Sequence, residues 1–287
     1  MKFKYYFFKE NTRTFDKADL LEYLNDTKYM SLDMDSRETE KIAYYNNEDI
    51  NLQAQFILGE KSVVKNTQKL SPKYLDLNIR VEIELLYPNY KLGKILNIIE
   101  IICKRYNFCV YCEVFSDVMP YNRKKMIQAY QMIKQVYKEK NEEEFMHYAK
   151  IEPQTLEHVY QYIEQRDYLK ETYKEFNADP LQFEFYRRPG SRQAYICSKW
   201  DGLDPFIVPG DTQLFVYDDG IVRKVIRFDE LLKNINKMLQ IIDTGLFNIY
   251  MLNPKFLKKV KKNIIKTKYP ELQITLKDIE LKDILDL

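Results

Sequence analysis

The stretch Leu77-Asn-Ile-Arg-Val-Glu-Ile-Glu-Leu85 sets Leu77, Ile79, Val81, Ile83 and Leu85 in strict alternation with Asn78, Arg80, Glu82 and Glu84. Successive side chains of a strand point to opposite faces, so this pattern demands a sheet with one dry face and one wet face. Such a sheet needs a cover on its dry side only, which helices supply. Residues 50–58 repeat the pattern, with Ile50, Leu52, Ala54, Phe56 and Leu58 on one side and Asn51, Gln53 and Gln55 on the other. A turn over Asn46, Asn47, Glu48 and Asp49 joins them to residues 41–45 as a hairpin.

After Tyr87 and Pro88 the apolar period changes from two to 3.6: Leu92, Ile95, Leu96, Ile99, Ile102 and Cys103 form one stripe, with Asn89 placed to cap the helix. Strands over 2–8 and 108–115 and a helix over 16–25 complete the order β-α-β-β-β-α-β. Residues 122–177 read as helical: Met126, Ile127, Tyr130, Ile133 and Tyr137 fit one helix, and Leu156, Val159, Tyr160, Ile163 and Tyr173 fit another that opens at Pro153. The polar run KEKNEEEF between them reads as a linker. Two hairpins follow, around Pro189-Gly190 and around Asp218-Asp219-Gly220. A helix over 229–240, a strand over 246–252, a helix over 255–265 and a short strand at 272–276 close the chain. The fold class expected is α+β: an antiparallel sheet with helices on one face (1–121), a helical connector (122–178) and a second, smaller α+β unit (179–287).

At 287 residues the chain is long enough for two cores. No apolar run reaches the roughly 20 residues of a membrane helix, and the first residues lack a signal-peptide pattern, so a cytoplasmic location and no membrane partner are expected. Four cysteines in this length are too few for a disulfide scaffold. Abundant Lys, Ile, Asn and Tyr beside seven glycines suggest AT-rich coding DNA of the kind found in low-GC bacteria.

Cys109-x-x-Cys112 has the spacing of half a zinc site, but in an extended strand residues i and i+3 face opposite ways. No second such pair exists, so neither a bound metal nor any other cofactor is expected. His147 and His158, the only histidines, make no metal or catalytic spacing. Asp33 and Asp35 would share a face if 31–36 is extended, and with Glu82 or Glu84 could hold a magnesium ion for chemistry on nucleotides or nucleic acid. The simpler reading makes all of these, with Glu113, the solvated side of alternating strands. The run 255–268 carries seven lysines and no acid, from Lys255 to Lys268. It could lie on nucleic acid, or form a solvated helix face balanced by the acids of the C-terminal tail. Trp200 either belongs to a recognition loop with Asp201, Asp204 and Phe206 or caps the C-terminal core.

Three segments, YYNNEDINLQAQFIL, LNIRVEIELLYPNYKLGKILNIIEIICKRYNFCVYCEVF and DPFIVPGDTQLFVYDDGIVRKVIRF, together resemble a broad class of bacterial α+β proteins, some of them regarded as immunity partners of secreted toxins. The resemblance implies a binding protein and carries no functional residue across. With no catalytic constellation in sight, the function expected is non-catalytic binding of another protein, with a toxin-neutralising or defence-related role as its specific form. The partner would meet the wet sheet face, at Arg80, Glu82, Glu84, Tyr111 and Glu113, or the Trp200 loop. The alternatives are the metal-dependent enzyme and the nucleic-acid-binding module.

Overall fold

The computed structural model describes residues 1–12, 14–33, 39–244, 247–270 and 275–286. The chain divides into two units, Met1–Glu142 and Glu143–Leu287, and the fold is α+β. Among the described residues no helix is long and apolar enough to cross a membrane.

The first unit runs β1 (Lys2–Glu10), α1 (Lys17–Asn25), β2 (Met30–Leu32), β3 (Glu40–Asn47), β4 (Leu52–Gly59), β5 (Tyr74–Glu84), α2 (Asn89–Tyr106), β6 (Cys109–Tyr111), β7 (Met119–Pro120) and α3 (Arg123–Lys140). Its seven strands form one sheet in the order β2-β3-β4-β5-β1-β6-β7, antiparallel at every pairing. On the dry side Phe3, Tyr5, Phe7, Val81 and Ile83 are buried, as are the stripe residues of α2. The three helices are tied to that side and to each other: Tyr5 Oη donates to the Met126 carbonyl at 2.7 Å, Tyr130 Oη to that of Glu84 at 2.6 Å, and Tyr106 Oη to that of Asp19 at 3.2 Å. Each fully buried Leu or Ile of α2 contributes about 1.5–3 kcal/mol, so the stripe alone anchors the helix.

Three local readings change. The hairpin turn lies at Glu48–Asn51, four residues in which Asn51 takes a left-handed φ of 49° and Ile50 is buried, so the turn sits two residues later than the asparagines suggested. The residue before α2 is Pro88, and Asn89 is its first helical residue rather than its cap. The alternation of 77–85 is broken by a bulge: Phe7 pairs with Ile79 but Phe8 with Asp76, leaving Leu77 and Asn78 without partners on β1. Asn78 supplies the left-handed conformation a bulge of this kind uses, with φ 57°, and its N–H donates to Asp76 Oδ1 at 2.8 Å.

The residues read as a helical connector divide between the units. Helix α3 packs on the first sheet through Met126 and Tyr130, whereas α5 (Pro153–Thr172) belongs to the second unit, where Tyr162 Oη donates to the carbonyls of Leu181 and Ile207 at 3.0 Å each. Between them the short helix α4 (Glu142–Phe145) spans the boundary and buries Phe145, and β8 (Ala149–Ile151) follows. The second unit continues with β9 (Asp179–Pro180), β10 (Phe183–Arg187), β11 (Ala194–Trp200), β12 (Phe206–Pro209), β13 (Leu214–Asp218), β14 (Arg223–Arg227), α6 (Phe228–Ile235), β15 (Leu239–Asp243), β16 (Asn248–Leu252), α7 (Leu257–Lys266), β17 (Lys277–Ile279) and β18 (Ile284–Asp286).

Both expected hairpins form, β10 with β11 and β13 with β14. They join as β14-β13-β11-β10-β17, with β11 and β13 parallel; the chain between them crosses through β12, which lies in a second sheet ordered β15-β16-β12-β9. β8 and β18 pair in parallel as a separate ribbon. The core gathers Trp200, Phe206, Phe215, Tyr217, Phe228 and Leu231 beneath α6 and α7. The helix expected over 229–240 stops at Ile235, and its last residues become β15, an edge strand in which only Ile242 is buried. With one buried residue, an edge strand shows no alternation to read. Most of the strand expected at 272–276 lies outside the described residues.

Candidate functional site

The wet face of the first sheet is ordered in rows that run across the strands. One row takes Ser31, Tyr44, Gln55, Glu82 and Lys4 from β2, β3, β4, β5 and β1 in turn. Beside it, Asn46 pairs with Gln53 and Lys2 with Glu84. On the other side stand Ile42, Ile57, Arg80, Tyr6 and Tyr111.

The rows differ in cover. Tyr6, Phe8 and Tyr111 are sealed beneath Val64, Leu70, Phe115 and Val118, a satellite cluster under the two loops that flank β5 and β6. The loops are pinned to each other where the Ser71 N–H donates to Asp117 Oδ1 at 3.0 Å. In the other two rows Lys2, Lys4, Tyr44, Asn46, Gln53 and Glu84 are exposed. The face is therefore half roofed and half bare.

A charge network sits at the edge of the roof. Arg80 reaches Glu82 Oε1 through Nε at 2.9 Å and Glu40 Oε1 through Nη1 at 3.0 Å. Glu82 also receives Lys4 at 3.3 Å and Lys2 at 3.7 Å, and Lys2 Nζ donates to Gln55 Oε1 at 2.6 Å. Burial works against the Glu82 carboxylate, yet the Arg80 bond and the neighbouring Lys4 hold its pKa below the usual carboxylate range. Burial likewise opposes the Arg80 charge, and the bonds to Glu82 and Glu40 raise its pKa in spite of it. The network holds the bare rows in one arrangement.

The residues singled out from sequence separate. Arg80, Glu82 and Glu84 do share the face, but Glu82 is only 9% exposed, occupied by its cations. Tyr111 lies under the roof. Glu113 is exposed but leaves the sheet, because β6 ends at Tyr111 and a turn closes with the Phe115 N–H donating to the Cys112 carbonyl at 2.9 Å. Trp200 is in the other unit, 2% exposed, its indole N–H given to the Asp204 carbonyl at 2.8 Å and its ring against Phe206 and Tyr217. It is a residue of the aromatic core. The residues that composition did not flag are Lys2, Lys4 and Tyr44; their signal was the alternation of Lys2 and Lys4 with Phe3 and Tyr5, and of Tyr44 with Ala43 and Tyr45.

Asp33 follows β2, three strand spacings or about 14 Å from Glu82 on β5, and Asp35 lies outside the described residues. Among the described residues no three His, Cys, Asp or Glu side chains are grouped to hold a metal ion. Among the described residues no disulfide forms; burial pushes the Cys112 thiol up to about 11, which makes it a poor nucleophile and ligand. In the second unit His158 Nδ1 lies 2.9 Å from Asp211 Oδ2 and stacks on Phe247. No family model matches this chain, and comparison with curated proteins and with solved structures finds no significant similarity.

Proposed function

We propose that the protein acts by binding another protein, which it receives on the bare rows of the seven-stranded sheet. The observation that carries this reading is the asymmetry of cover: one face of the sheet is closed by three helices, while half of the other displays Lys2, Lys4, Tyr44, Asn46, Gln53 and Glu84 to solvent. Both charge signs, amides and an aromatic in one rigid array suit a specific protein interface, where polar complementarity fixes register and a tyrosine provides an anchor. A toxin-neutralising role in a bacterial cytoplasm is the specific form that the pattern resemblance suggests.

The test replaces Tyr44→Ala, Asn46→Arg and Gln53→Glu together, exposed residues outside the Arg80–Glu82 ion-pair network, and compares affinity capture from cells of the source with that of the unaltered protein. One species retained in stoichiometric amount by the native chain and lost from the variant, with circular dichroism unchanged, is the expected result. Equal capture by both would remove this face from the reading.

A further inference from the structure

Helix α7 commits its apolar side to the interior: Val260 and Ile264 are fully buried in the cluster of Trp200 and Phe228, and Leu257 and Ile265 pack against it. That fixes the direction of everything else on the helix. Lys258, Lys259, Lys262 and Lys266 are exposed, as are Lys255 and Lys268 at its two ends. Among the described residues Lys261 alone of this run has an ion-pair partner, Asp219 Oδ2 at 3.4 Å. The tail acids that could have balanced the run lie elsewhere: Asp278, Glu280 and Asp283 line a cavity of about 580 Å³ with Glu144, His147 and Arg187, and Glu280 pairs with Lys282.

The helix end strengthens the field. Lys224 Nζ donates to the carbonyls of Ile264, Ile265 and Thr267 at 2.9, 2.7 and 3.0 Å, so a cation caps what is ordinarily the negative pole of a helix. Like charges three and four residues apart each cost a helix about 0.2–0.5 kcal/mol, and Lys255, Lys258, Lys259, Lys262 and Lys266 form several such pairs. Among the described residues none of these five lysines has an acid paired with it.

We propose that this face of α7 binds the phosphate backbone of nucleic acid without reading its sequence. The helix offers a cationic line about 15 Å long, at 1.5 Å per residue, to a polymer that carries a negative charge every ~1.7 Å of duplex axis. A membrane-surface helix inserts its apolar side into lipid, and α7 has already buried that side in the core. Sequence reading is absent for a like reason. Lysine is a point charge rather than a planar fork, and the one amide on the helix, Asn263, has its Oδ1 occupied by the hydroxyl of Tyr269 at 3.1 Å.

The test is fluorescence anisotropy of a labelled mixed-sequence DNA duplex titrated with the full chain at several salt concentrations. With four lysines on phosphates, log K falls against log salt with a slope of about −3.6, so affinity drops about 100-fold between roughly 50 and 200 mM salt. The combined variant Lys258→Gln, Lys259→Gln, Lys262→Gln and Lys266→Gln is expected to lose at least tenfold in affinity at low salt and most of the slope, with its circular dichroism unchanged. A Lys2→Gln, Lys4→Gln variant is expected to bind as the native chain does. No binding by the native chain at low salt, equal binding by the α7 variant, or equal or tighter binding to phosphatidylserine vesicles or polyglutamate would each overturn the proposal. Because the protein-binding face and α7 use different residues and different probes, either reading can fail alone.

Discussion

The two charged surfaces of this molecule are built in opposite ways. On the first sheet, β3, β5 and β1 bring Glu40, Arg80, Glu82 and Lys4 together from distant parts of the chain, and each charge meets its opposite. On α7 the lysines come from consecutive turns of one helix, and among the described residues no acid pairs with the four exposed ones. A count of charges would rank the two alike. What separates them is whether folding supplies a counter-charge: the sheet charges are paired within the fold, and the helix is the surface for which nucleic-acid binding is proposed.

Lys91 tests the comparison from inside the first unit and carries the largest expected effect. It is buried, donates to the Asn51 carbonyl at 3.0 Å, and burial lowers its pKa to about 8. The folded value lies below the unfolded 10.5, so between the two the unfolded chain holds a proton the folded chain lacks, and stability rises with pH across that window. At 1.36 kcal/mol per pH unit the gain is about 3 kcal/mol. Urea unfolding of the native chain and of Lys91→Met is expected to show a difference that changes by this amount between about pH 8 and pH 10.5; a pH-independent difference would show that the amine is solvated.

Glu82 comes next. Removing it leaves Arg80 with Glu40 alone and takes from Lys4 the acid it meets at 3.3 Å, beside a partly roofed face, and Glu82→Ala is expected to cost about 2 kcal/mol. The folded pKa of Glu82 is depressed, so its contribution is full above the unfolded value near 4.5 and is lost as pH falls through the folded value. The gap between native and Glu82→Gln chains should accordingly close in acid. The double exchange of Arg80→Glu with Glu82→Lys, which on an open surface would leave the melting temperature alone, is expected to lower it. A melting temperature that stays level in both variants would show the network to be as solvated as an ordinary surface pair.

The smallest effects sharpen the contrast. Among the described residues the Glu84 carboxylate has one ion-pair partner, the Met1 ammonium at 3.9 Å, and it is half exposed, so Glu84→Ala is expected to change stability by less than about 0.5 kcal/mol. The four-lysine variant of α7 is expected to be neutral or slightly stabilising by thermal melting, since it relieves repulsion and breaks no pair. A substantial loss of stability in that variant would mean that the lysines serve the fold.

Much of the fold was legible because its signals are local. The alternation at 77–85 and at 52–58, the stripe from Leu92 to Cys103 and the two second-unit hairpins all appear as strands, helix and turns where they were expected, with Gly220 taking the φ of 81° its turn requires. The candidate face was legible in part: Arg80, Glu82 and Glu84 point to one side as period two dictates. Tyr111, Glu113 and Trp200 were misplaced for separate physical reasons. A loop roof buries the first, a strand that ends early swings the second off the sheet, and an aromatic core surrounds the third.

The sequence by itself determined which residues lie on which side of each strand and helix, because backbone geometry repeats every two or 3.6 residues whatever the neighbours are. Only the tertiary structure decided that β1 lies between β5 and β6, that β11 and β13 run parallel with β12 crossing between them, and that the tail acids settle away from α7. Those outcomes depend on contacts between residues far apart in the chain. Periodicity assigns a side chain to a face, but what covers that face, and which opposite charge reaches it, is fixed when the remote segments pack.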